Sequence, residues 1–170
     1  MDAGEFRGLI ASWAQVMQRH NEELTRLDGL CGDSDLGLTM SAGFASVATA
    51  AASCAGKDIG KLSYLAGKAM SISVPSTMGT LMASGFMSAG KALSGLEKLD
   101  DPQQALFFSA FYEGVKARGK AQRGYEQTYG MNARHGRMAI RGEASREYYD
   151  PGAAVAALLI RGWADCVTGG

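Results

Sequence analysis

The segment from Phe6 to Met17 reads FRGLIASWAQVM and decides the fold class, because its apolar residues recur every three or four positions. This spacing places them on one face of an α-helix, where they can be buried together. The residues on that face are Phe6, Leu9, Ile10, Trp13, Val16 and Met17. The segment therefore predicts an amphipathic helix near the start of the chain.

The same periodicity and several helix-start signals predict further helices. They span residues 39–53, 59–70 and 80–96, and two more begin at Asp101-Pro102 and Asp150-Pro151. Aspartate before proline favours a helix start, because the carboxylate accepts backbone N–H groups and proline has a helical φ. No stretch alternates with period two over the length of a strand. The sequence predicts a single all-α domain over residues 1–170.

The charges of the 170-residue chain balance, with 17 Lys+Arg and 17 Asp+Glu, but they are unevenly distributed. Residues 22–35 hold five acids and one base, and residues 116–146 hold eight bases and two acids. A neutral total argues against a protein that coats nucleic acid or an anionic membrane. The basic segment also lacks regularly interleaved aromatic residues for base stacking. We expect no nucleic-acid and no membrane partner.

Cysteine use and the chain start favour a cytoplasmic protein. Cys31, Cys54 and Cys166 are widely spaced, which is typical of reduced thiols rather than a disulfide framework. The first residues lack the basic and apolar regions of a signal peptide. Two uncharged runs, 36–56 and 69–90, are rich in small residues, so we interpret them as closely packed core helices.

An acidic turn is predicted at residues 27–37, LDGLCGDSDLG. Gly32 and Gly37 flank Asp33 and Asp35, so a tight turn can bring these carboxylates and that of Asp28 into one coordination sphere. Hard cations such as Mg²⁺ prefer oxygen ligands, and a cation offsets the repulsion between carboxylates. The alternative is a solvated turn in which the aspartates act only as caps. The helix that follows would offer backbone amides to an anion.

The run LDGLCGDSDLGLTMSAGF, residues 27–44, resembles the metal-binding loop of the nucleotide-binding (L) subunit of dihydroxyacetone kinases. The resemblance implies that Asp28, Asp33 and Asp35 hold Mg²⁺, two ions in the family, against the phosphates of ADP or ATP. The family's histidine after the third aspartate is Leu36 here, and a later asparagine is Thr39. Further matches to the family pattern are Gly37, Met40, Gly43 and Phe44.

Three later segments are also similar to the family: GVKARGKA at 114–121, ARHGR at 133–137 and DPGA at 150–153. The resemblance implies a phosphate contact from Arg137, whose donor fork suits phosphate oxygens. It places four further residues beside the nucleotide: Gly119, Asp150, Pro151 and Gly152. The family's Asp-Lys pair after the first segment is absent. Without the resemblance, Arg137 is a solvated charge and Asp150-Pro151 a plain helix start.

Residues 71–80, SISVPSTMGT, occupy the place of a glycine-rich family loop whose amides approach the nucleotide. Ser71-Ile72 replaces the family's glycine pair, so we expect Ile72 and Val74 to crowd that approach. The hydroxyl groups of this loop can still donate to phosphate. The nucleotide-binding residues implied here and at the preceding helix start are Gly37, Leu38, Thr39, Ser73, Ser76, Thr77, Gly79 and Thr80.

The resemblance implies an antiparallel helical barrel or bundle. The family has eight helices, and this chain lacks a family segment between Thr128 and Met131, so fewer than eight is an alternative. The implied function is an ADP/ATP–Mg²⁺-binding subunit of a dihydroxyacetone-kinase-like phosphotransferase, with no catalytic residue beyond metal and phosphate positioning. The implied partners are a ketose-binding K-type subunit and a phosphotransferase-system M-type phosphoryl donor.

Two other functions stay open. The lost histidine, glycine pair and segment favour a degenerate paralogue that acts as a non-catalytic binding or regulatory module. Alternatively, the nucleotide site is kept and serves another acceptor.

Overall fold

A computed structural model describes residues 1–30, 32–118 and 150–168 of the chain. These residues form seven helices and, within the described ranges, no strand beyond an isolated antiparallel bridge between Asp2 and Lys98. The predicted all-α class is confirmed. The helices are α1 (Ala3–Arg19), α2 (Asn21–Gly29), α3 (Leu36–Ser53), α4 (Ile59–Ser73), α5 (Thr77–Ala92), α6 (Asp101–Arg118) and α7 (Pro151–Thr168).

The first helix begins with a reciprocal capping box. The Asp2 Oδ1 atom accepts the backbone N–H groups of Gly4 at 2.8 Å and Glu5 at 3.0 Å. In return, the Asp2 amide donates to Glu5 Oε2 at 2.7 Å. The bonds from the Glu5 and Gly4 amides lower the pKa of the exposed Asp2 carboxyl, because they favour its ionised form.

The predicted cap of α6 was wrong by one residue. Asp100 is the N-cap: its Oδ1 accepts the Gln103 amide at 2.9 Å, and its own amide donates to Gln103 Oε1 at 2.9 Å. Asp101 and Pro102 therefore occupy the first and second helical positions. A capping box pairs the N-cap residue with a glutamate or glutamine three positions later. Gln103 lies three positions after Asp100 but only two after Asp101, so Asp100 is the cap. At α7 the prediction is confirmed, since Asp150 Oδ1 accepts the Ala153 amide at 2.9 Å.

Three other boundaries differ from the predictions, and one helix was missed. The predicted 59–70 helix extends to Ser73. The predicted 80–96 helix runs over Thr77–Ala92, because Ser76 caps it through the Gly79 amide at 3.0 Å. The predicted 39–53 helix begins earlier, at Leu36. The missed helix is α2, whose nine residues bury only Leu24 and Leu27 within an acidic sequence. So short a helix leaves little apolar periodicity to detect.

The described residues form two compact units, and the first comprises residues 1–14 and 42–118. Its core is a cluster of aromatic rings centred on Phe86, which lies edge-on to Phe111 at 5.2 Å and to Trp13 at 5.9 Å between centroids. Phe6 contacts Phe107 in the same way at 5.7 Å. The predicted face of α1 is confirmed, because its six apolar residues are all buried.

Within this unit, α4 and α5 approach so closely that glycine is required at their contact. A Cβ atom on Gly60 would lie 2.5 Å from the Leu93 carbonyl, and one on Gly90 would lie 2.6 Å from the Tyr64 nitrogen. The buried Ser63 hydroxyl donates to the Phe86 carbonyl at 2.8 Å. The interpretation of the 69–90 run as closely packed helix is therefore confirmed for α5.

The end of α3 is held by a side chain from α1. The Arg7 guanidinium donates to the carbonyl oxygens of Ala51 at 3.2 Å and Cys54 at 2.9 Å, and also to that of Gly56. These bonds satisfy acceptors that a helix C-terminus leaves without partners. Arg7 thereby fixes the last turn of α3 and the segment that follows.

The second unit comprises residues 15–41 and 150–168 among those described. In it, α2 packs against α7, with Leu24, Val155 and Trp163 buried. The start of α3 lies on α2: a Cβ atom on Gly37 would overlap the Asn21 carbonyl oxygen and Thr25 Oγ1. The Ser41 hydroxyl donates to the Met17 carbonyl at 3.1 Å, which ties α3 to the end of α1.

Among the described residues, α3 is the single helix long and apolar enough to span a membrane by length and composition. Half of its span is buried inside the protein. Such burial is typical of a core helix. The length and composition of α3 are therefore weak evidence for a membrane segment.

Candidate functional site

The turn between α2 and α3 brings the three predicted metal ligands together. Asp28 is half-buried near the end of α2, whereas Asp33 and Asp35 are exposed in the turn itself. One carboxylate oxygen from each of the three residues lies within 4.8 Å of those of the other two. Residues five and two positions apart thus converge on one small volume.

Hydrogen bonds to Asp28 hold this turn closed. Its Oδ2 atom accepts the backbone N–H groups of Asp35 at 3.1 Å and Leu36 at 3.3 Å. Its carbonyl oxygen accepts the Gly32 amide. Asp28 therefore joins the end of α2 to the beginning of α3, and its carboxylate caps the latter helix.

Ser34 adds a local backbone constraint between the two exposed predicted ligands, Asp33 and Asp35. Its φ of 63° is the one positive value among the described non-glycine residues. Left-handed geometry costs an L-residue about 1–2 kcal/mol, and such residues are concentrated at functional sites. Ser34 forms a bend between Asp33 and Asp35.

The residues of the turn suit a hard divalent cation. Three carboxylates supply the oxygen donors that Mg²⁺ prefers, and without a cation they repel one another. Gly32 leaves room for the Asp28 carboxylate, since a Cβ atom there would lie 2.8 Å from Asp28 Cγ and overlap Oδ1. Donor chemistry and space thus both fit a bound metal.

The predicted phosphate-binding residues of α3 lie in its first turn, directly after Asp35. Gly37 is buried on α2, Leu38 is 67% exposed, and Thr39 is almost fully buried. The Thr39 amide donates to the Asp35 carbonyl at 2.9 Å. A phosphate contact from Thr39 would therefore use its hydroxyl group. Gly37 also has a packing role, because only glycine allows its contact with Asn21.

The predicted residues of the 71–80 segment lie at the junction of α4 and α5, in the first unit. Ser73 ends α4 and Thr77 begins α5, and both are exposed. The amides of Gly79 and Thr80 already donate to Ser76, to Oγ at 3.0 Å and to the carbonyl at 2.9 Å. The exposed hydroxyl-bearing residues of this junction are Ser71, Ser73, Thr77 and Thr80.

The two apolar residues expected to crowd this junction behave differently. Val74 is buried, and a Cβ atom on Gly43 would lie 2.8 Å from its Cγ2 atom. Ile72 is 79% exposed at the end of α4. Any crowding of a ligand at this junction therefore falls to Ile72, because Val74 packs into the core.

The remaining predicted residues divide between the start of α7 and the residues outside the described ranges. Asp150 caps α7, and Pro151 and Gly152 form its first turn in the second unit. Gly119 and Arg137 lie outside the described residues, as do most of the basic segment and Cys31. The proposed roles of Gly119 and Arg137 rest on the resemblance alone.

Sequence reasoning missed the roles of two residues that shape the acidic turn. Gly32 was interpreted as a turn residue, but its backbone has no positive φ, so it serves to make space. Ser34 has the unusual φ, although glycine, asparagine and aspartate are the residues that most often adopt it. No signal in the sequence could have shown that Gly32 makes space while Ser34 adopts the positive φ.

Comparison with known proteins defines the class. The sequence model of the DAK2 domain matches residues 30–126, more than half of the chain, and this range includes the predicted ligands Asp33 and Asp35. The chain belongs to the DAK2 domain family. The family resemblance inferred from the acidic turn is confirmed.

Three characterised proteins are similar to the chain. The ADP-binding subunit DhaL of the PEP-dependent dihydroxyacetone kinase of Escherichia coli K12 is 27% identical, over 86% of this chain and 90% of the relative. The DhaL subunit of dihydroxyacetone kinase 1 from Listeria innocua is 26% identical, over 88% and 89%. L-erythrulose 1-kinase of Mycolicibacterium smegmatis is 25% identical over 94% of this chain but only 35% of the relative.

Proposed function

We propose that this chain is an ADP- or ATP-binding subunit of a dihydroxyacetone-kinase-like phosphotransferase, with residues 1–170 acting as one nucleotide-binding domain. The convergence of Asp28, Asp33 and Asp35 within 4.8 Å carries the proposal. Membership of the DAK2 family and similarity to two subunits described as ADP-binding support it.

In this proposal the three aspartates hold Mg²⁺, two ions by resemblance, and the first turn of α3 lies beside the phosphates. The cations supply charge neutralisation for phosphoryl transfer. Helix amides and hydroxyl groups orient the phosphate oxygens, with Arg137 as an additional donor. Such chemistry requires positioning rather than a protein nucleophile, so no catalytic residue of another kind is assigned.

By resemblance to the family, and in line with the relatives described as kinase subunits, the ketose would bind a separate K-type subunit. The phosphoryl donor would be ATP or an M-type protein of the phosphotransferase system. Both arrangements place the protein in the cytoplasm. The similarity to an L-erythrulose 1-kinase leaves a different ketose acceptor as a second possibility.

Thermal unfolding with and without ADP and MgCl₂ tests the nucleotide site. A ligand at 100 times its Kd stabilises the folded state by about 2.7 kcal/mol, so the Tm of the wild type should rise by several degrees. Asp33→Asn should abolish the rise. Glu22→Gln, which removes one exposed charge from the same unit outside the ligand set, should keep it. No rise for the wild type at millimolar ADP would contradict the proposal.

A degenerate, non-catalytic module is the second candidate. Two observations favour it: Leu36 replaces a family histidine, and the exposed Ile72 replaces a family glycine at the α4–α5 junction. Incubation of the chain with a K-type subunit, dihydroxyacetone and a phosphoryl donor distinguishes the two candidate functions. Triose phosphate formation would exclude the degenerate candidate. Nucleotide binding without turnover, with a K-type subunit shown to be active with its own partner, would support it.

A further inference from the structure

Gly32 occupies a position where the backbone does not require glycine. Its φ lies outside the left-handed range occupied by Gly56 and Gly95, so no left-handed conformation demands glycine here. What excludes a side chain is Asp28. A Cβ atom on Gly32 would overlap Asp28 Oδ1, lie 2.8 Å from Cγ and lie 3.1 Å from the Asp28 carbonyl oxygen.

The Asp28 carboxylate has no simple way to move aside. Its Oδ2 atom is engaged by the amides of Asp35 and Leu36 at the start of α3. A methyl group pressing on Oδ1 would break these bonds or displace the start of α3. Either movement separates Asp28 from Asp33 and Asp35, whose carboxylate oxygens now lie within 4.8 Å of its own.

We propose that Gly32 is a positioning residue for the divalent-cation site and acts through Asp28. Its missing side chain provides the space in which Asp28 caps α3 and still contributes to the ligand set. This inference rests on the proposed function, because it assumes that the three carboxylates bind a cation together with the nucleotide.

Gly29 offers a matched control in the same turn. A Cβ atom there would lie 2.6 Å from Ser34 Oγ and 3.7 Å from Ser34 Cβ, and no other neighbour lies closer. A serine hydroxyl can rotate away, whereas the Asp28 carboxylate is held by two amides. Gly29→Ala should therefore leave cation binding close to that of the wild type.

The test measures binding of Mn²⁺ in the presence of ADP, with free Mn²⁺ followed by electron paramagnetic resonance. Gly32→Ala should weaken Mn²⁺ binding by about tenfold or more, the usual range for groups that orient metal ligands. Gly29→Ala should bind as the wild type does. Far-UV circular dichroism and thermal unfolding without ligands establish that each variant is folded.

A double-mutant cycle with Asp28→Ala separates positioning from a general structural effect. Without the carboxylate, the methyl group of Gly32→Ala has lost its main obstacle. The double variant should therefore bind Mn²⁺ no more weakly than Asp28→Ala, and it should unfold at the same temperature. This second readout keeps the inference testable if Gly32→Ala alone folds poorly.

The outcomes distinguish the two proposals. Wild-type protein that binds neither ADP nor Mn²⁺ would overturn the proposed function and this inference with it. Wild-type binding that survives Gly32→Ala unchanged would overturn the inference alone. So would a loss on Gly32→Ala that persists in full on the Asp28→Ala background, because Gly32 would then act by another route.

Discussion

Glycines serve different purposes in two regions of this molecule. At the α4–α5 contact in the first unit, Gly60 and Gly90 face backbone atoms of the opposite helix. In the acidic turn of the second unit, Gly29 and Gly32 face polar side-chain atoms. Backbone atoms within helices cannot yield individually. In the acidic turn the Ser34 hydroxyl opposite Gly29 can rotate away, whereas two backbone amides hold the Asp28 carboxylate opposite Gly32. Glycine therefore sets the helix separation in the first region and the placement of carboxylates in the second.

The largest effect should come from Gly90→Ala. The added methyl group would lie 2.6 Å from the Tyr64 nitrogen and 2.7 Å from the Gly60 carbonyl oxygen, so α4 and α5 must separate. We expect a loss of about 3 kcal/mol in the free energy of unfolding, measured by urea denaturation. Gly8→Ala is the control, because nothing lies within 4 Å of its Cβ position in α1. It should stabilise the protein by up to about 1 kcal/mol. An unchanged urea midpoint for Gly90→Ala would contradict this prediction, because it would show that α4 and α5 can accommodate the methyl group without loss of stability.

Substitution of Ser34 should lower stability less than Gly90→Ala does, but it should also weaken cation binding. The φ of 63° at Ser34 is unfavourable for a β-branched residue, so Ser34→Val should cost about 1–2 kcal/mol and weaken Mn²⁺ binding. Ser34→Gly should retain both stability and binding, since glycine adopts this conformation without strain. Equal behaviour of the two variants in urea denaturation and Mn²⁺ titration would mean that the backbone conformation of Ser34 is unimportant to the site.

Substitutions of Asp150 distinguish a helix-capping role from a nucleotide-binding role. Asp150→Ala removes the acceptor of the Ala153 amide and should cost about 1 kcal/mol, whereas Asp150→Asn keeps the cap and the stability. If Asp150 also borders the nucleotide, Asp150→Asn should reduce the Tm increase caused by ADP and Mg²⁺. A full increase in the asparagine variant would leave Asp150 with the capping role alone.

The smallest effect concerns the exposed cap of α1. Hydrogen bonds from the Glu5 and Gly4 amides lower the pKa of Asp2 relative to the unfolded chain, where it is about 3.9. Its contribution to stability is therefore present above that unfolded value and is lost as the pH falls through the lower folded value. Comparing the Tm of the wild type and Asp2→Asn between pH 6 and pH 2 measures this contribution. The difference between them should shrink at the acid end, and a difference that grows there would contradict this assignment.

Local sequence patterns account for much of the fold. The face of α1 from Phe6 to Met17 was predictable because a helical period is a property of neighbouring residues. The start of α7 was predictable for the same reason, since Asp150 and Pro151 act within one turn. The missed helix α2 and the misplaced cap of α6 show the limit. Where local signals are weak or compete, tertiary packing determines whether a helix forms. A hydrogen-bonding side chain three residues later determines which residue caps it.

The sequence by itself determined that the chain is helical, that it belongs to the DAK2 family and that Asp28, Asp33 and Asp35 are the candidate ligands. These follow from residue type and spacing, which need no coordinates. Only the tertiary structure decided that the three carboxylates converge, that Val74 is buried while Ile72 is exposed, and that Gly32 makes room for Asp28. Such facts depend on distances between atoms from different turns and helices, and a linear pattern does not contain them.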